Sequence, residues 1–283
     1  MSSIVISGSN GFLGKHLVSK LSDYKKYKII KMDRKLGDIA CKKTWKKLPK
    51  AKILIHLAAK TFVPDSWTNP KEFFKTNILG TMMALEYCRI NKSKLIFLSS
   101  YLYGNPDKLP TNESAKIKIE NPYSLTKKTA EEFCRFYSRK YGLKAVILRP
   151  SNVYGPGQKN FFLIPDIINK LKRKKITMNN IYIKRDLIYV SDLVEAIIKS
   201  FLLKSKFEIL NIGSGKSYEI KKVINILQKI NKTHFRVKNK GINKLNEILT
   251  TRLDIKKAKN ILKWKPLHSL EAGLRNTIYN RKL

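Results

Sequence analysis

The sequence predicts an α/β protein with a doubly wound parallel sheet, followed by a smaller C-terminal α/β lobe. Strand-like apolar runs alternate with helix-length amphipathic segments through the first half of the chain, which is the order of a parallel sheet with crossover helices. A glycine-spaced turn follows the first apolar run, and helices mix with short extended segments after residue 155. We therefore assign residues 1–155 to a sheet domain, on which 186–215 packs back, and 156–283 mainly to the second lobe.

The first apolar run, Ile4–Ser7, leads into Gly8, Gly11 and Gly14 in the spacing G-x-x-G-x-x-G. A helical pattern begins at Phe12. Glycines allow a tight turn and a close approach of the backbone to a pyrophosphate, and a helix N-terminus attracts anions. The stretch predicts a Rossmann-type dinucleotide site, although a glycine-rich turn without a ligand has the same pattern.

Asp33 strengthens the dinucleotide prediction. It closes the next apolar run, Lys28–Met32, and lies 19 positions after Gly14. A carboxylate about 20 residues beyond the glycines binds the adenosine ribose in dinucleotide folds. Asp33 would repel a 2′-phosphate and so favours NAD, whereas the adjacent Arg34 leaves NADP open.

The chain carries 59 Lys and Arg residues against 20 Asp and Glu, a net charge of +39. A strongly basic balance can indicate a nucleic-acid or anionic partner. However, the lysines are spread over the whole chain, and arginines do not interleave with aromatic residues, as they do in nucleic-acid grooves. We interpret the charge as a solvated surface and predict no specific nucleic-acid partner.

The cysteine and hydropathy patterns bear on metal binding and location. Cys41, Cys88 and Cys134 are widely separated and lack metal-ligand spacing, which is typical of free thiols in a reducing compartment. No apolar run reaches about 18 residues, and the N-terminus has no signal-peptide pattern. We expect no metal, no membrane span and a cytoplasmic location.

The remaining elements follow from periodicity and from end signals. Asn121 and Pro122 are good N-cap and first-turn residues for a long helix that Gly142 ends. His56, at the end of a strand, is interpreted as structural. The other predicted elements are helix Lys42–Leu48, strand Ile53–Ile55, helix 71–90, strand Lys94–Leu98, strand Ala145–Leu148, helix 163–174, an extended Ile181–Ile183, a helix capped by Asp192 that runs through Leu203, and helix 219–230.

Tyr123 and Lys127 are four positions apart on the long helix, so they share a face. A lysine ammonium lowers the pKa of a neighbouring tyrosine, which makes the phenolate accessible as a base. Ser99 follows the strand Lys94–Leu98, and its hydroxyl could bond the same substrate oxygen. A Y-x-x-x-K pair occurs by chance in many helices, but the upstream serine and the dinucleotide turn favour a catalytic group.

Taken together, the residues resemble the extended short-chain dehydrogenase/reductase family, in its NAD-dependent nucleotide-sugar epimerase/dehydratase group. The likeness covers nearly the whole chain. The motifs that carry it are Gly8 to Gly14, Asp33, Gly37-Asp38-Ile39, His56-Leu57-Ala58-Ala59, Asn77-Ile78-Leu79-Gly80-Thr81, Ser99 with Tyr103-Gly104, Tyr123 with Lys127, Arg149 to Pro156, Arg185-Asp186 and Leu262 to Pro266.

The resemblance implies three sets of site residues. The catalytic set is Ser99, Tyr123 and Lys127, with Tyr123 as the general base or acid. The cofactor set is Gly8, Asn10, Gly11, Phe12, Leu13, Gly14, Asp33, Arg34, Asp38, Ile39, Leu57, Ala58, Ala59, Asn77, Tyr123, Lys127 and Pro150. The substrate set is Thr61, Ser100, Tyr101, Asn152, Arg185, Lys244 and Glu247. Lys244 stands where the family often has arginine, and Phe162 where it often has asparagine.

The resemblance also narrows the reaction. The 4,6-dehydratases of the family place Asp-Glu after their Ser or Thr, whereas Ser100 and Tyr101 follow Ser99 here. Hydride transfer at one sugar carbon, most often C4, remains. The main hypothesis is an NAD-dependent nucleotide-sugar 4-epimerase. The alternatives are a 4-keto-6-deoxysugar reductase that uses NADPH, and a catalytically silent dinucleotide- or RNA-binding protein. A homodimer formed through the helix after Asn121 is also implied.

Overall fold

The computed structural model describes residues 2–172, 176–242 and 247–280. The strands are β1 (Ser2–Ser7), β2 (Tyr27–Met32), β3 (Ile53–His56), β4 (Lys94–Leu98), β5 (Ala145–Pro150), β6 (Asn152–Tyr154), β7 (Ile176–Met178), β8 (Lys184–Arg185), β9 (Leu187–Tyr189), β10 (Phe207–Ile212), β11 (Tyr218–Glu219) and β12 (Val237–Asn239).

The helices alternate with these strands along the chain. They are α1 (Phe12–Ser22), α2 (Lys42–Lys46), α3 (Val63–Thr68), α4 (Pro70–Phe73), a π-helical segment (Phe74–Leu79), α5 (Gly80–Asn91), α6 (Pro122–Tyr141), α7 (Leu163–Lys172), α8 (Val190–Lys199), a 3₁₀ turn (Ser200–Leu202), α9 (Ile220–Ile230), α10 (Lys256–Leu262) and α11 (Leu270–Tyr279).

Six strands form one sheet in the order β2-β1-β3-β4-β5-β10, and every neighbouring pair is parallel. Two apolar clusters cover its faces, one built on Ile4 and Ile6 and the other on Val5 and Leu54. The alternation follows because successive side chains of a strand point to opposite faces. The doubly wound α/β fold is therefore confirmed, and its strand order reverses between β1 and β3, where such sheets open a ligand crevice.

Shorter strands pair outside the main sheet, as β6 with β9, β7 with β12 and β8 with β11. The chain also returns to the first domain, because β10 pairs with β5 and α8 packs against α1. The domain limits drawn from the sequence stay a prediction.

The long helix α6 begins and ends where its end signals lie. The side chain of Asn121 accepts a hydrogen bond from the Ser124 amide at 2.8 Å, and the Ser124 hydroxyl is bonded back to the Asn121 amide. Gly142 ends the helix in the left-handed conformation at φ 66°, which a residue without Cβ adopts at little cost.

Asp192 does not cap α8, so that prediction was wrong. The helix begins at Val190 after Tyr189. The Asp192 carboxylate instead accepts hydrogen bonds from the backbone amides of Leu267 and His268, each at 3.1 Å. Partners that lie 75 positions or more away along the chain leave no local pattern.

Other boundaries also differ from the periodic prediction. The helix predicted over Lys42–Leu48 ends at Lys46, and residues 173 and 174 of the helix predicted over 163–174 lie outside the described residues. The helix expected over 71–90 is interrupted by the π-helical segment. The helix expected to reach Leu203 ends at Lys199 and continues as a 3₁₀ turn. Ile181 lies in a bend, and the short strand begins at Lys184. Element ends are set by tertiary contacts more than by periodicity, which explains these shifts.

Among the described residues, no helix is long and apolar enough to span a bilayer.

Candidate active site

The glycine turn lies at the crevice between β1 and β3. Gly8 has φ +75°, and a Cβ there would lie 2.8 Å from the amide nitrogen of Ala58. A Cβ on Gly14 would lie 2.2 Å from the carbonyl oxygen of Gly8. Helix α1 therefore starts against the turn, with its free amides beside the strand ends. This is a cradle that side chains would fill, and it fits a pyrophosphate.

Asp33 is held next to the glycine turn. Its carboxylate accepts hydrogen bonds from the side-chain amide of Asn10 and from the backbone amide of Lys35, the latter at 2.8 Å. Arg34 is exposed beside it. The structure thus brings together two cofactor residues named from the sequence, with the carboxylate at the crevice and able to accept ribose hydroxyls.

Asp38 and Ile39 lie on the far side of Asp33. Asp38 forms an ion pair with Lys75 at 2.7 Å, and this hydrogen bond holds the pKa of the carboxyl below its usual value. Ile39 packs against Gly80, because a Cβ added to Gly80 would lie only 2.6 Å from Cδ1 of Ile39. An apolar side chain and a carboxylate side by side suit a heteroaromatic ring with exocyclic donors.

Asn77 was expected to contact the cofactor, but its described partners are protein groups. Its Oδ1 accepts from the Lys60 amide at 2.8 Å, while its Nδ2 donates to the Lys60 carbonyl and to the Thr126 hydroxyl, each at 3.0 Å. Thr126 in turn donates to the carbonyl of Tyr123. These bonds use the acceptor and both donors of the amide, so Asn77 positions the loop after Ala59 against the catalytic helix.

His56 is structural, as interpreted from the sequence. It is buried, and its two ring nitrogens contact the hydroxyls of Ser7 (2.7 Å) and Thr81 (3.3 Å). Burial lowers the pKa of the imidazole to about 3, so the ring is neutral across the physiological range.

The two serines at the end of β4 have different partners. Ser100 is hydrogen-bonded to the side chain of Tyr123. Ser99 is 3% exposed, and its hydroxyl donates to Glu131 Oε1 at 2.5 Å. The described bond of Ser99 is thus to a protein group, whereas Ser100 acts on the tyrosine. The contact of Ser99 with the substrate oxygen stays a prediction.

Lys127 and Tyr123 lie on one buried face of α6, but the described bond of the ammonium is not to the phenol. Lys127 Nζ donates to the carbonyl oxygen of Leu98 at 2.6 Å and lies 4.6 Å from the Phe97 ring centroid. Burial lowers the pKa of Lys127 to about 8 and raises that of Tyr123. The expected lowering of the tyrosine pKa is not seen, because desolvation of the phenolate outweighs the hydrogen bond from Ser100.

Sequence reasoning missed a buried ion pair below these groups. Glu131 Oε1 accepts from Arg149 Nε at 2.9 Å, and Oε2 accepts from Arg149 Nη2 at 2.6 Å. Arg149 Nη1 also donates to the hydroxyl of Tyr103 at 2.9 Å. Glu131 lies four positions after Lys127, on the same helix face, and that spacing was its only signal in the sequence.

The predicted substrate residues are spread over the second lobe and the loops that face it. Arg185 is half-buried and donates to the carbonyl of Lys184 at 3.0 Å, and burial lowers the pKa of its guanidinium. The negative charge of Glu247 raises the pKa of the Arg185 guanidinium, against the larger lowering by burial. Asn152 is exposed on β6. Lys244 lies outside the described residues.

Tyr101 and Thr61 lie in the loops that follow β4 and β3. The hydroxyl of Tyr101 donates to the carbonyl of Gly104 at 3.1 Å, and burial raises its pKa to about 12. Thr61 is exposed. The next residue, Phe62, packs at a tilt of 50° against Phe161, with ring centroids 4.4 Å apart, and meets Phe162 edge-on at 5.9 Å. These rings join the loop after β3 to the segment before α7.

The remaining cofactor residues surround the same crevice. Phe12 and Leu13 form the first turn of α1, Leu57, Ala58 and Ala59 follow β3, and Pro150 ends β5. Among the described residues, no three His, Cys, Asp or Glu side chains cluster as metal ligands do.

Comparison with known proteins agrees with this geometry. The model of the NAD dependent epimerase/dehydratase family matches residues 4–213. A Methanocaldococcus jannaschii protein provisionally named UDP-glucose 4-epimerase is 32% identical over 97% of each chain. The GDP-6-deoxy-D-mannose reductase of Pseudomonas aeruginosa is 28% identical over 80% of this chain and 79% of its own.

A solved structure extends the likeness to three dimensions. The UDP-glucose 4-epimerase of Thermotoga maritima, crystallised with UDP-glucose, superposes with a TM-score of 0.92 at 29% identity, over 98% of this chain and 97% of its own. The resemblance inferred from the sequence motifs is confirmed, and the chain belongs to the NAD dependent epimerase/dehydratase family.

Proposed function

We propose that this protein is an NAD-dependent nucleotide-sugar 4-epimerase. The observation that carries the proposal is that Tyr123 and Lys127 share a buried face of α6, where Lys127 is bonded to the Leu98 carbonyl at the end of β4 at 2.6 Å. A phenol, a hydroxyl and the buried ammonium of Lys127 are the groups that a reversible oxidation of a sugar hydroxyl needs.

The cofactor crevice fits NAD. The amides around Gly11 and the α1 N-terminus would hold the pyrophosphate, Asp33 the adenosine ribose, and Asp38 with Ile39 the adenine. Asp33 favours NAD over NADP, since its carboxylate would repel a 2′-phosphate. NAD held there would supply the hydride acceptor for C4 of the sugar and, in its reduced form, the hydride donor that restores the carbinol.

The chain's own residues move the proton. Tyr123 would take the proton of the C4 hydroxyl and later give it back, while Ser100 would hold the same oxygen in line. Lys127 would stabilise the phenolate through its charge. Because Leu98, Ser99 and Ser100 each act on a different residue of α6, a small change at the end of β4 would misalign the groups of the site.

The residues that follow Ser100 disfavour dehydration. They are Tyr101 and Leu102. No carboxylic acid therefore occupies the two positions after Ser99 or the two positions after Ser100. Tyr101, with its pKa raised to about 12 and its hydroxyl on Gly104, is a poor acid–base group. Hydride transfer without loss of water is the chemistry these side chains support.

The second lobe would hold the nucleotide diphosphate. Arg185, Asn152 and Glu247, with Lys244, are the residues proposed to contact the diphosphate and its ribose. The half-buried guanidinium of Arg185 supplies a cation for phosphate oxygens, and the diffuse positive charge of the surface would help to attract the substrate.

One observation favours a second candidate, a 4-keto-6-deoxysugar reductase that uses NADPH. Arg34 is exposed directly beside Asp33, where a guanidinium accommodates a 2′-phosphate. The likeness to a GDP-6-deoxy-D-mannose reductase fits the same reaction class.

The test is to denature freshly purified protein and identify the released dinucleotide by chromatography and absorbance. Stoichiometric NAD, together with interconversion of C4 epimers among UDP-, GDP- and dTDP-hexoses, would support the epimerase. An empty protein that prefers NADPH and reduces 4-keto-6-deoxysugar nucleotides would support the reductase. Failure to bind either dinucleotide, or tight and strongly salt-dependent RNA binding, would overturn both in favour of the silent binder.

We also propose a homodimer in the cytoplasm. Four large apolar side chains are exposed on neighbouring helical segments: Leu79, Ile90, Leu125 and Phe136. Leu79 and Ile90 lie about three helical turns apart, and Leu125 and Phe136 on α6 have the same separation. A helical face of this kind suits a symmetric contact between two copies. Light scattering of the purified protein tests the dimer. The described cysteines are free thiols, which suits a reducing compartment.

A further inference from the structure

Three consecutive residues at the end of β4 are each bonded to a different residue of α6. Lys127 donates to the carbonyl of Leu98 at 2.6 Å, Ser99 donates to Glu131 at 2.5 Å, and Ser100 is bonded to Tyr123. Tyr123, Lys127 and Glu131 are spaced by four positions, so one face of the helix meets the strand end over two turns.

Glu131 is the most deeply placed of the three helix residues, with 2% exposure. Its two oxygens receive both parallel bonds from Arg149, on β5, in addition to the bond from Ser99. The carboxylate therefore joins the helix to two neighbouring strands. A buried ion pair adds little net stability, because the cost of desolvating both charges offsets their attraction. We therefore consider a second role for the Glu131–Arg149 pair, which is to hold the catalytic side chains in position.

Arg149 is anchored in turn on its other side. Its Nη1 donates to the Tyr103 hydroxyl, and that hydroxyl donates to Asn211 Oδ1 at 2.7 Å. The side of Glu131 that faces away from the site is thus fixed by a satisfied network, and the carboxylate cannot move without breaking several bonds.

We propose that Glu131 is a positioning residue of the catalytic site: through Ser99 it sets where Ser100 meets Tyr123, and its charge supports the ammonium of Lys127. The proposal rests on the proposed function. Glu131 does not reach the reacting atoms, because its oxygens are occupied by Ser99 and Arg149.

The charge effect follows from the groups that face Lys127. On its own helix these are Tyr123, Glu131 and Cys134, from β4 the Phe97 ring, and from β3 the neutral His56. Glu131 raises the pKa of Lys127, against the larger lowering by burial. Removing that carboxylate would lower the pKa of Lys127 further, so the ammonium would lose its proton at a lower pH than in the wild type.

The experiment compares two substitutions at this position in the holoenzyme. Glu131→Gln removes the charge with little change of shape. We expect its kcat to fall by about 10²-fold, as for a displaced catalytic group, with KM little changed, and the alkaline limb of its kcat profile to move to lower pH. Glu131→Asp keeps the charge but shortens the reach, so kcat should fall while the pH profile stays in place.

A second measurement does not need turnover. The pKa of Lys127 is about 8 in the folded protein and 10.5 in the unfolded chain. Between these two pH values the unfolded chain keeps a proton on Lys127 that the folded protein has lost, so the free energy of unfolding rises with pH from about 8. In Glu131→Gln that rise should begin at a lower pH, whereas in Glu131→Asp it should not move. This readout separates failure of the positioning role from failure of the epimerase assignment.

Asp192→Asn is the matched control, since Asp192 is a buried carboxylate whose bonds go to the loop before α11: to the backbone amides of Leu267 and His268 and to the His268 ring. It should lower the melting temperature without moving either pH dependence. The proposal is overturned if Glu131→Gln leaves both pH dependences where they are in the wild type, or if the Asp192→Asn control shifts them equally.

Discussion

Ser100 and Tyr123 are joined by a side-chain hydrogen bond, whereas the adjacent Ser99 is turned inward to Glu131. The two hydroxyls therefore have different partners, although both residues directly follow β4. We expect the hydroxyl of Ser100 to share the substrate oxygen with the phenol.

Replacing Ser100 by Ala should lower kcat by about 10²-fold, because one hydrogen bond to the reacting oxygen is lost. Ser99→Ala is the matched control. It keeps the Ser100 hydroxyl and removes only its positioning through Glu131, so kcat should fall by less than in Ser100→Ala. The melting temperature should also fall, because Glu131 loses a buried donor. Steady-state kinetics and thermal unfolding of both variants check this, and a larger kcat loss in Ser99→Ala would contradict it.

Tyr123→Phe should retain the fold and bound NAD but lose about 10²–10⁴-fold in turnover, the range of general acid–base catalysis. The phenyl ring still packs against Phe73, whose ring lies edge-on at 6.4 Å. Dinucleotide content and circular dichroism establish that the variant is intact. Near-normal activity would show that another group carries the proton.

Turnover should fall as pH rises through about 8, because Lys127 then loses the charge that stabilises the phenolate. Lys94→Met is a control for this assignment. The pKa of Lys94 is also lowered to about 8, but its ammonium caps the carbonyls of Ser200, Phe201 and Leu203 away from the site. That variant should keep the pH profile of kcat. A displaced profile would show that Lys94, and not Lys127, causes the fall in turnover above pH 8.

Gly14→Ala should abolish dinucleotide binding, because its Cβ would lie 2.2 Å from the Gly8 carbonyl and would force the turn open. Gly142→Ala is the comparison. Its φ is +66°, but nothing lies within 4 Å of a Cβ there, so it should cost only about 1–2 kcal/mol of stability and leave NAD binding intact. Calorimetric titration with NAD separates the two effects.

Asp33→Ala should weaken NAD binding and improve binding of NADP relative to NAD, since the carboxylate that would repel a 2′-phosphate is gone. Arg34→Ala should do the reverse for NADP and leave NAD unchanged. Binding constants of both variants for both dinucleotides provide the check. An unchanged ratio in Asp33→Ala would place cofactor selection elsewhere.

The sequence by itself determined the features that depend on local pattern. Glycine spacing and apolar alternation predicted the crevice and the parallel sheet, the distance to Asp33 predicted a ribose contact, and the four-residue spacing placed Tyr123 and Lys127 on one face. Each of these follows from the period of a strand or a helix, and no distant partner is needed to recognise it.

Only the tertiary structure decided which polar groups meet. It bonded Ser99 to Glu131, paired Glu131 with Arg149, occupied Asn77 with protein partners, and directed Asp192 to a loop instead of its own helix. These bonds join residues separated by 17 to 75 positions. Their geometry depends on how the strands and helices pack, because hydrogen bonds require a close approach that periodicity does not encode.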